Sequence, residues 1–318
     1  MSDKSLIYPL FIPHEACPGS CVYCDQHKIS GAPSFDMDKA VAAVKAFIRR
    51  NPGRPKEVAF YGGSFTALPL SRQQELLDGI SRLLDPESSI RISTHPAYID
   101  DAALDLCLKH NVRTIELGIQ DFCDRPLKES GRNYTGAMGF AAAQKVRQYG
   151  FILGVQLIPG LPGADAETLK ENKAYLQKLK PDLLRLYPLV VIKDTQLHEM
   201  YQMGSYLPLS VTEAVQICAD YAEFCDLHGI RIIKYGLPSN LDRTEVAAGA
   251  YHPAFGELVK QELLIRQIKA APETAAQLSD KQRHLLRAHK CRYLQQLEAT
   301  NSFRKRDPSR IRGAKECL

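Results

Sequence analysis

The chain has 318 residues, 45% of them apolar and 24% charged, with a net charge of +5, which excludes a disordered or collagen-like protein. At this length folding buries about three quarters of the unfolded surface, enough for one large domain with an appendage or for two modest ones. The opening "MSDKSLIYPLF" meets charges and a proline before any signal-like run, and no stretch of about 18 residues is free of charge, so the expected location is cytoplasmic, with no membrane partner.

In chain order, a first strand is expected at 6–12 ("LIYPLFI"), followed by the loop "CPGSCVYC" with Cys17, Cys21 and Cys24. A helix capped by Asp36 carries Met37, Val41, Val44, Ala46 and Ile48 at helical spacing. The second strand, 57–63, ends in "YGGSF", and Ser71 is read as the cap of the helix after it. A third strand at 90–94 runs into "HPAY", a fourth at 114–120 into "QDFC", and a fifth at 152–158 into "PGLPG". Asp165 caps the next helix, a sixth strand spans 183–191, Thr212 caps a long helix, and a seventh strand covers 231–237. The rhythm then breaks: "AYHPAFGELV" leads into a helix to about residue 269, and Ser279 caps another to about residue 298.

These strand candidates are nearly continuously apolar, as strands buried on both faces are. Their regular alternation with helices implies parallel strands joined by right-handed crossovers. The fold class is therefore α/β, a partial (β/α)6-type TIM barrel over residues 1–240, with a short, mainly helical C-terminal extension over 241–318. In such barrels the chemistry sits at the C-terminal ends of the strands.

Nine cysteines, scattered apart from the first three, argue against a secreted disulfide framework. Thiolates are soft ligands for zinc or iron–sulfur clusters. Zinc wants four protein ligands, and His27 could complete a set with Cys17, Cys21 and Cys24. A 4Fe-4S cluster held by three cysteines leaves one iron open to a small molecule. Three inert cysteines are hard to bury together in a loop containing Gly and Pro.

Cys-x3-Cys-x2-Cys with Tyr23 before the last cysteine, directly after a first barrel strand, resembles the signature of the radical S-adenosylmethionine (SAM) superfamily. "YGGSF" resembles the Gly-Gly motif that receives the SAM amino group, with Ser64 where many members carry Glu. "GIQDF" with "SGRNY" resembles the coproporphyrinogen-dehydrogenase and Elongator-like branches, which implies Gln120 on the ribose and Arg132 on the methionine carboxylate. "GVQLIPGLPG" and "LRLYPLVVIKDTQL" resemble the segments against the adenosine and adenine, which places Gln156 and Tyr187 there. The order of motifs looks most like the bacterial Elongator catalytic-subunit-like radical SAM family, over about residues 6–260. The remaining residues look too few for its acetyltransferase domain, so acetyl transfer is not carried over. "ISTHPAYI" also departs from relatives, which tend to carry an Arg or an acidic residue near His95.

The resemblance implies three metal ligands, Cys17, Cys21 and Cys24, for a 4Fe-4S cluster with one open iron. It implies SAM on Gly62, Gly63, Ser64, Glu116, Gln120, Arg132, Gln156 and Tyr187, and a reduced flavodoxin or ferredoxin as electron donor. SAM would be cleaved reductively to a 5′-deoxyadenosyl radical that abstracts hydrogen from a substrate, with no catalytic side chain required. Glu116 reads equally as a salt-bridged interior carboxylate. His95 and Tyr98 sit where substrate would, or merely cap and pack. Cys123 reads better as a small apolar side chain than as a hydrogen-atom relay.

From residue 281 onward there are 11 Lys and Arg against 3 Asp and Glu, +8, so residues 1–280 sum to 5 − 8, or −3. If the Elongator resemblance extends to function, the substrate is tRNA and this tail binds its phosphates. A small-molecule substrate, as in the coproporphyrinogen branch, is the second reading. A zinc-stabilised RNA-binding module without catalysis is the third, and it leaves "YGGSF" and "SGRNY" unexplained.

Overall fold

Seven parallel strands form one curled sheet in a computed structural model that describes residues 5–17, 21–32 and 34–288. The first unit of the chain runs to Pro253. It begins with β1 (Leu6–Phe11), α1 (Gln26–Ser30), α2 (Met37–Arg50), β2 (Lys56–Tyr61) and α3 (Leu70–Ser81). It continues with β3 (Ser89–Thr94), α4 (Asp101–Lys109), β4 (Val112–Gln120), α5 (Asp124–Glu129), α6 (Gly136–Gln148) and β5 (Ile152–Leu157). Then come α7 (Ala166–Leu179), β6 (Leu183–Leu186), β7 (Val190–Ile192), α8 (Gln196–Gln202), α9 (Val211–Leu227), β8 (Arg231–Tyr235) and β9 (Val246–Gly249).

The sheet order is β1-β2-β3-β4-β5-β6-β8, every pair parallel, so β1 and β8 are the two edges and the barrel is open. This is the partial TIM barrel expected from the strand and helix alternation. Phe60, Ile90, Ile92, Ile115 and Leu117 are fully buried, each contributing about 1.5–3 kcal/mol relative to exposure.

Three local expectations are corrected. The sixth strand is not continuous over 183–191. Pro188 has no N–H to donate to the ladder, and β6 stops at Leu186, although Tyr187 and Leu189 still donate to the Leu157 and Pro159 carbonyls on the β5 side. The remainder becomes β7, which pairs antiparallel with β9, a strand too short and featureless to predict. Ser71 lies inside α3, whose first free amides, Arg72 and Gln73, donate to the Pro69 carbonyl. The cap of α9 is Ser210, not Thr212: its Oγ accepts from the Glu213 N–H and its own N–H donates to the Glu213 carboxylate. Asp36 and Asp165 cap as expected.

The second unit begins at Ala254. Its described part holds α10 (Phe255–Ala270), a 3-10 stretch and α11 (Asp280–Arg287), joined by a core of Leu264, Ile265, Ile268, Ala275, Leu278 and Leu286. Buried Gln261 donates to the carbonyls of Leu285 and Ala288, satisfying the end of α11. The expected continuation of α11 to residue 298, Cys291, Cys317 and most of the basic tail lie outside the described residues.

Candidate active site

The loop after β1 is tied down on several sides. The His14 amide donates to Gly62 at 2.9 Å, and the His14 ring accepts from the Gln26 amide at 2.8 Å. His14 and Ala16 both take left-handed backbone, at φ 57° and 53°, which turns the chain sharply before Cys17. Further on, the Val22 amide donates to Ser130 and its carbonyl receives the Leu197 amide. Tyr23 is buried with Ile158, Leu161, Leu189 and Leu197 and anchors the segment between Cys21 and Cys24.

All three thiols line one cavity of about 400 Å³ at the C-terminal ends of the strands. They are not drawn into a closed set: no group of three or more His, Cys, Asp or Glu in metal-binding arrangement occurs among the described residues. Burial pushes the Cys24 thiol up to about 12, partly opposed by the Gln26 side chain, and also raises Cys17, partly opposed by Ser64. Three neighbouring thiols ionise together only beside positive charge; Arg132 supplies some of it, and a metal group, when bound, would supply the rest. His27 does not line the cavity; its ring lies beside His14, with centroids 5.5 Å apart.

After β2 the chain reaches the same cavity through Gly62, Gly63 and Ser64. Gly62 has φ +86°, which favours glycine, and a Cβ on Gly63 would lie 2.6 Å from the Ile12 carbonyl and 2.8 Å from the Glu15 carbonyl. Backbone is thereby exposed where a side chain would otherwise cover it. Ser64 Oγ is 3.7 Å from Cys17 Sγ.

β4 supplies the next group. Gln120, at its end, is held at φ 63°, and its Oε1 is buried without a hydrogen-bond partner. Arg132 is buried, its guanidinium 3.3 Å from Cys21 Sγ, donating to the Gly118 carbonyl and lying over the Tyr134 ring. Its Nε has no hydrogen-bond partner, and no carboxylate pairs with it among the described residues. A buried guanidinium without an anion is costly, and an anionic guest would offset that cost.

Gln156 and Tyr187 also line the cavity. Glu116 does not. It is 1% exposed, pairs with Arg91 and with Arg185 at 2.6 Å, and accepts from Gln156 at 2.9 Å. Burial opposes its charge, but Arg185 and Arg91 outweigh that and hold its carboxyl below the ordinary range. Of its two readings from sequence, the structure shows the interior salt bridge. Arg91 also meets Glu57, and Arg185 also meets Tyr61 and Tyr187.

His95 lines the cavity beside Tyr134, accepting at Nδ1 from the Ala97 amide, and burial with the nearby Arg132 charge pushes it down to about 3. It is therefore neutral, with its proton assigned to Nε2. Tyr98 and Cys123 are not part of the wall. Cys123 is buried against Glu171 and Thr168, and burial, reinforced by Asp121, raises its thiol, so it packs as a small side chain. Cys107, Cys218 and Cys225 are core. Reading the sequence missed His14, Gln26, Arg185 and Lys234, all on the cavity wall. For Arg185 the signal was a single cation inside an apolar run, "LLRLYP"; Lys234 shares its run, "RIIKYG", with Arg231.

Several relatives share this region. The tRNA uridine(34) acetyltransferase of Methanocaldococcus jannaschii is 30% identical over 171 residues, 53% of this chain and 31% of the relative. The heme chaperone HemW of Bacillus subtilis is 26% identical over 207 residues, 62% of this chain and 55% of that one. The chain thus spans about a third of the length of the first of these and about half of the second. Among solved structures, archaeal Elp3 from Methanocaldococcus infernus superposes with a TM-score of 0.65 at 20% identity, covering 83% of this chain and 64% of that one. Coproporphyrinogen III oxidase from Escherichia coli follows with 0.54 at 20%, covering 72% and 54%. At such identity these two speak for the barrel alone. The C-terminal domain signature of radical SAM proteins matches residues 181–264. The signature of the superfamily itself matches residues 11–176, which takes in the cysteine loop, the Gly-Gly turn and Arg132, and the chain accordingly belongs to the radical SAM superfamily.

Proposed function

We propose that Cys17, Cys21 and Cys24 hold a 4Fe-4S cluster with one iron free of protein ligand, and that the same cavity orients SAM for attack on a tRNA. When bound, cluster and SAM together supply reductive cleavage of a sulfur–carbon bond and a carbon radical able to abstract hydrogen. The chain's own residues bind, orient and exclude water. Arg132 takes the methionine carboxylate through its two-pronged donor edge. Gly62 and Gly63 let backbone approach the amino group, with Ser64 beside them. Gln120 offers its unpartnered oxygen to a ribose hydroxyl, and Gln156 and Tyr187 flank the adenosine. Glu116 acts indirectly, fixing Gln156 and Arg185. The electron donor is a reduced flavodoxin or ferredoxin.

One observation carries this reading: the buried Arg132 guanidinium, lacking an anion, shares a cavity with three thiols. A zinc clip would need neither that arginine nor the bare backbone at Gly63. The tRNA substrate rests on the named activity of the archaeal relatives and on the basic tail. A small-molecule substrate is favoured instead by the likeness to HemW.

The test is anaerobic turnover with dithionite, following 5′-deoxyadenosine. Bulk tRNA should raise its rate about tenfold over the substrate-free background, about 1.4 kcal/mol in the barrier. A tRNA-independent rate that responds to a small-molecule extract would move the substrate to the second class.

A further inference from the structure

Arg132 aside, the barrel interior holds one positive charge more than it balances. Arg91 and Arg185 are matched by Glu57 and Glu116, to which they are paired. Lys234, on β8, lines the same cavity as the thiols, and no hydrogen bond or ion pair engages its ammonium among the described residues. It is the register partner of Arg185, so the two side chains emerge from the same face of adjacent strands. Burial and then repulsion from Arg185 lower its pKa. An ammonium beside a guanidinium in a half-closed cavity is unfavourable unless an anion visits it.

SAM does not provide that anion. Its single carboxylate is assigned to Arg132, whose guanidinium reaches the Gly118 carbonyl on β4. β8 lies three strand positions further along the sheet order β4-β5-β6-β8, about 14 Å at roughly 4.8 Å per strand. Arg185, and not Arg132, is the charge that bears on Lys234, so Arg132 and Lys234 serve different parts of the cavity. β8 is also the sheet edge, where the barrel is open.

We propose that Lys234, seated beside Arg185, is a positioning residue that holds an oxyanion of the substrate, a phosphate or a carboxylate, at the open edge of the barrel. This rests on the radical SAM reading for what else the cavity contains. It adds a requirement on the substrate: a negative group about three strands from the SAM carboxylate.

The test is amine footprinting by mass spectrometry. The full-length protein is acetylated with a trace of sulfo-N-hydroxysuccinimide acetate in inorganic phosphate, in succinate, or in chloride of matched ionic strength. Labelling of Lys234 should slow saturably, by about fivefold, in at least one oxyanion. Lys39 and Lys170, whose side chains are 86% and 73% exposed, should label alike in all three. Protection by phosphate alone assigns a phosphate-bearing substrate, by succinate alone a carboxylate-bearing one, and by both an oxyanion site without preference. Equal labelling in all three solutions overturns the proposal. As a second readout, the oxyanion that protects should raise the melting temperature of wild type and Lys234→Arg by more than that of Lys234→Gln, in which Arg132 still offers a cation to the same cavity; an equal rise in all three also overturns it. Running the footprint on protein with and without reconstituted cluster separates the two ideas. Absence of a cluster with protection intact would count against the radical SAM reading alone, and a SAM-responsive cluster without protection against the oxyanion site alone.

Discussion

Gly63 shows how one missing side chain shapes the cavity. Any Cβ there would sit well inside contact distance of two backbone carbonyls. Gly63→Ala should therefore displace the Ile12–Glu15 turn and cost about 1–3 kcal/mol of stability, with weaker SAM binding by calorimetry; unchanged melting and affinity would mean the backbone is not the receptor. Arg132→Lys keeps the charge but loses the two-pronged edge, so SAM affinity should fall about tenfold or more at unchanged iron content. Undiminished affinity would remove Arg132 from the carboxylate. Glu116 gives a pH signature. Its folded pKa is depressed, so the unfolded chain binds the proton more readily, and stability is full above the unfolded value near 4.3 and lost as pH falls through the folded one. Glu116→Gln should cost about 3–5 kcal/mol at neutral pH, a gap that narrows below about pH 4 in chemical denaturation; a pH-independent gap would contradict the charged pairing.

The elements were legible in proportion to how local their causes are. Buried parallel strands announce themselves as apolar runs, and six of the seven could be placed within a residue or two from "LIYPLFI" to "RIIKYGL". The split of 183–191 was not legible, because it depends on Val190–Ile192 pairing with β9, far along the chain, although Pro188 was there to be read. Caps divide similarly. Asp165 stands alone before its helix, whereas Ser210 and Thr212 compete two residues apart and only the reciprocal Glu213 contact decides. Ser210→Ala should accordingly cost about 0.5–2 kcal/mol in thermal or chemical unfolding without altering SAM affinity, and Thr212→Ala much less; the reverse ranking would refute the assigned cap. Of the cavity, the cysteines, the Gly-Gly turn and Arg132 were readable because each belongs to a compact motif. Arg185 and Lys234 were not, since a cation in a strand acquires meaning only when neighbouring strands set its register.

For the whole chain, the acidic balance of residues 1–280 and the basic balance of 281–318 make a division of labour testable. If the tail meets tRNA phosphates, deleting residues 289–318 should flatten the dependence of log affinity on log salt, by about 0.7–0.9 for each lost contact; an unchanged slope would leave the tail without that role. The central claim concerns the three thiols and the one iron they leave open. It is tested most directly by anaerobic reconstitution with iron and sulfide and the electron paramagnetic resonance spectrum of the dithionite-reduced protein, with and without SAM. The expected result is a reduced 4Fe-4S signal that shifts on adding SAM and disappears in Cys17→Ala, Cys21→Ala and Cys24→Ala. A colourless protein holding tightly bound zinc, with no signal that answers to SAM, would contradict it.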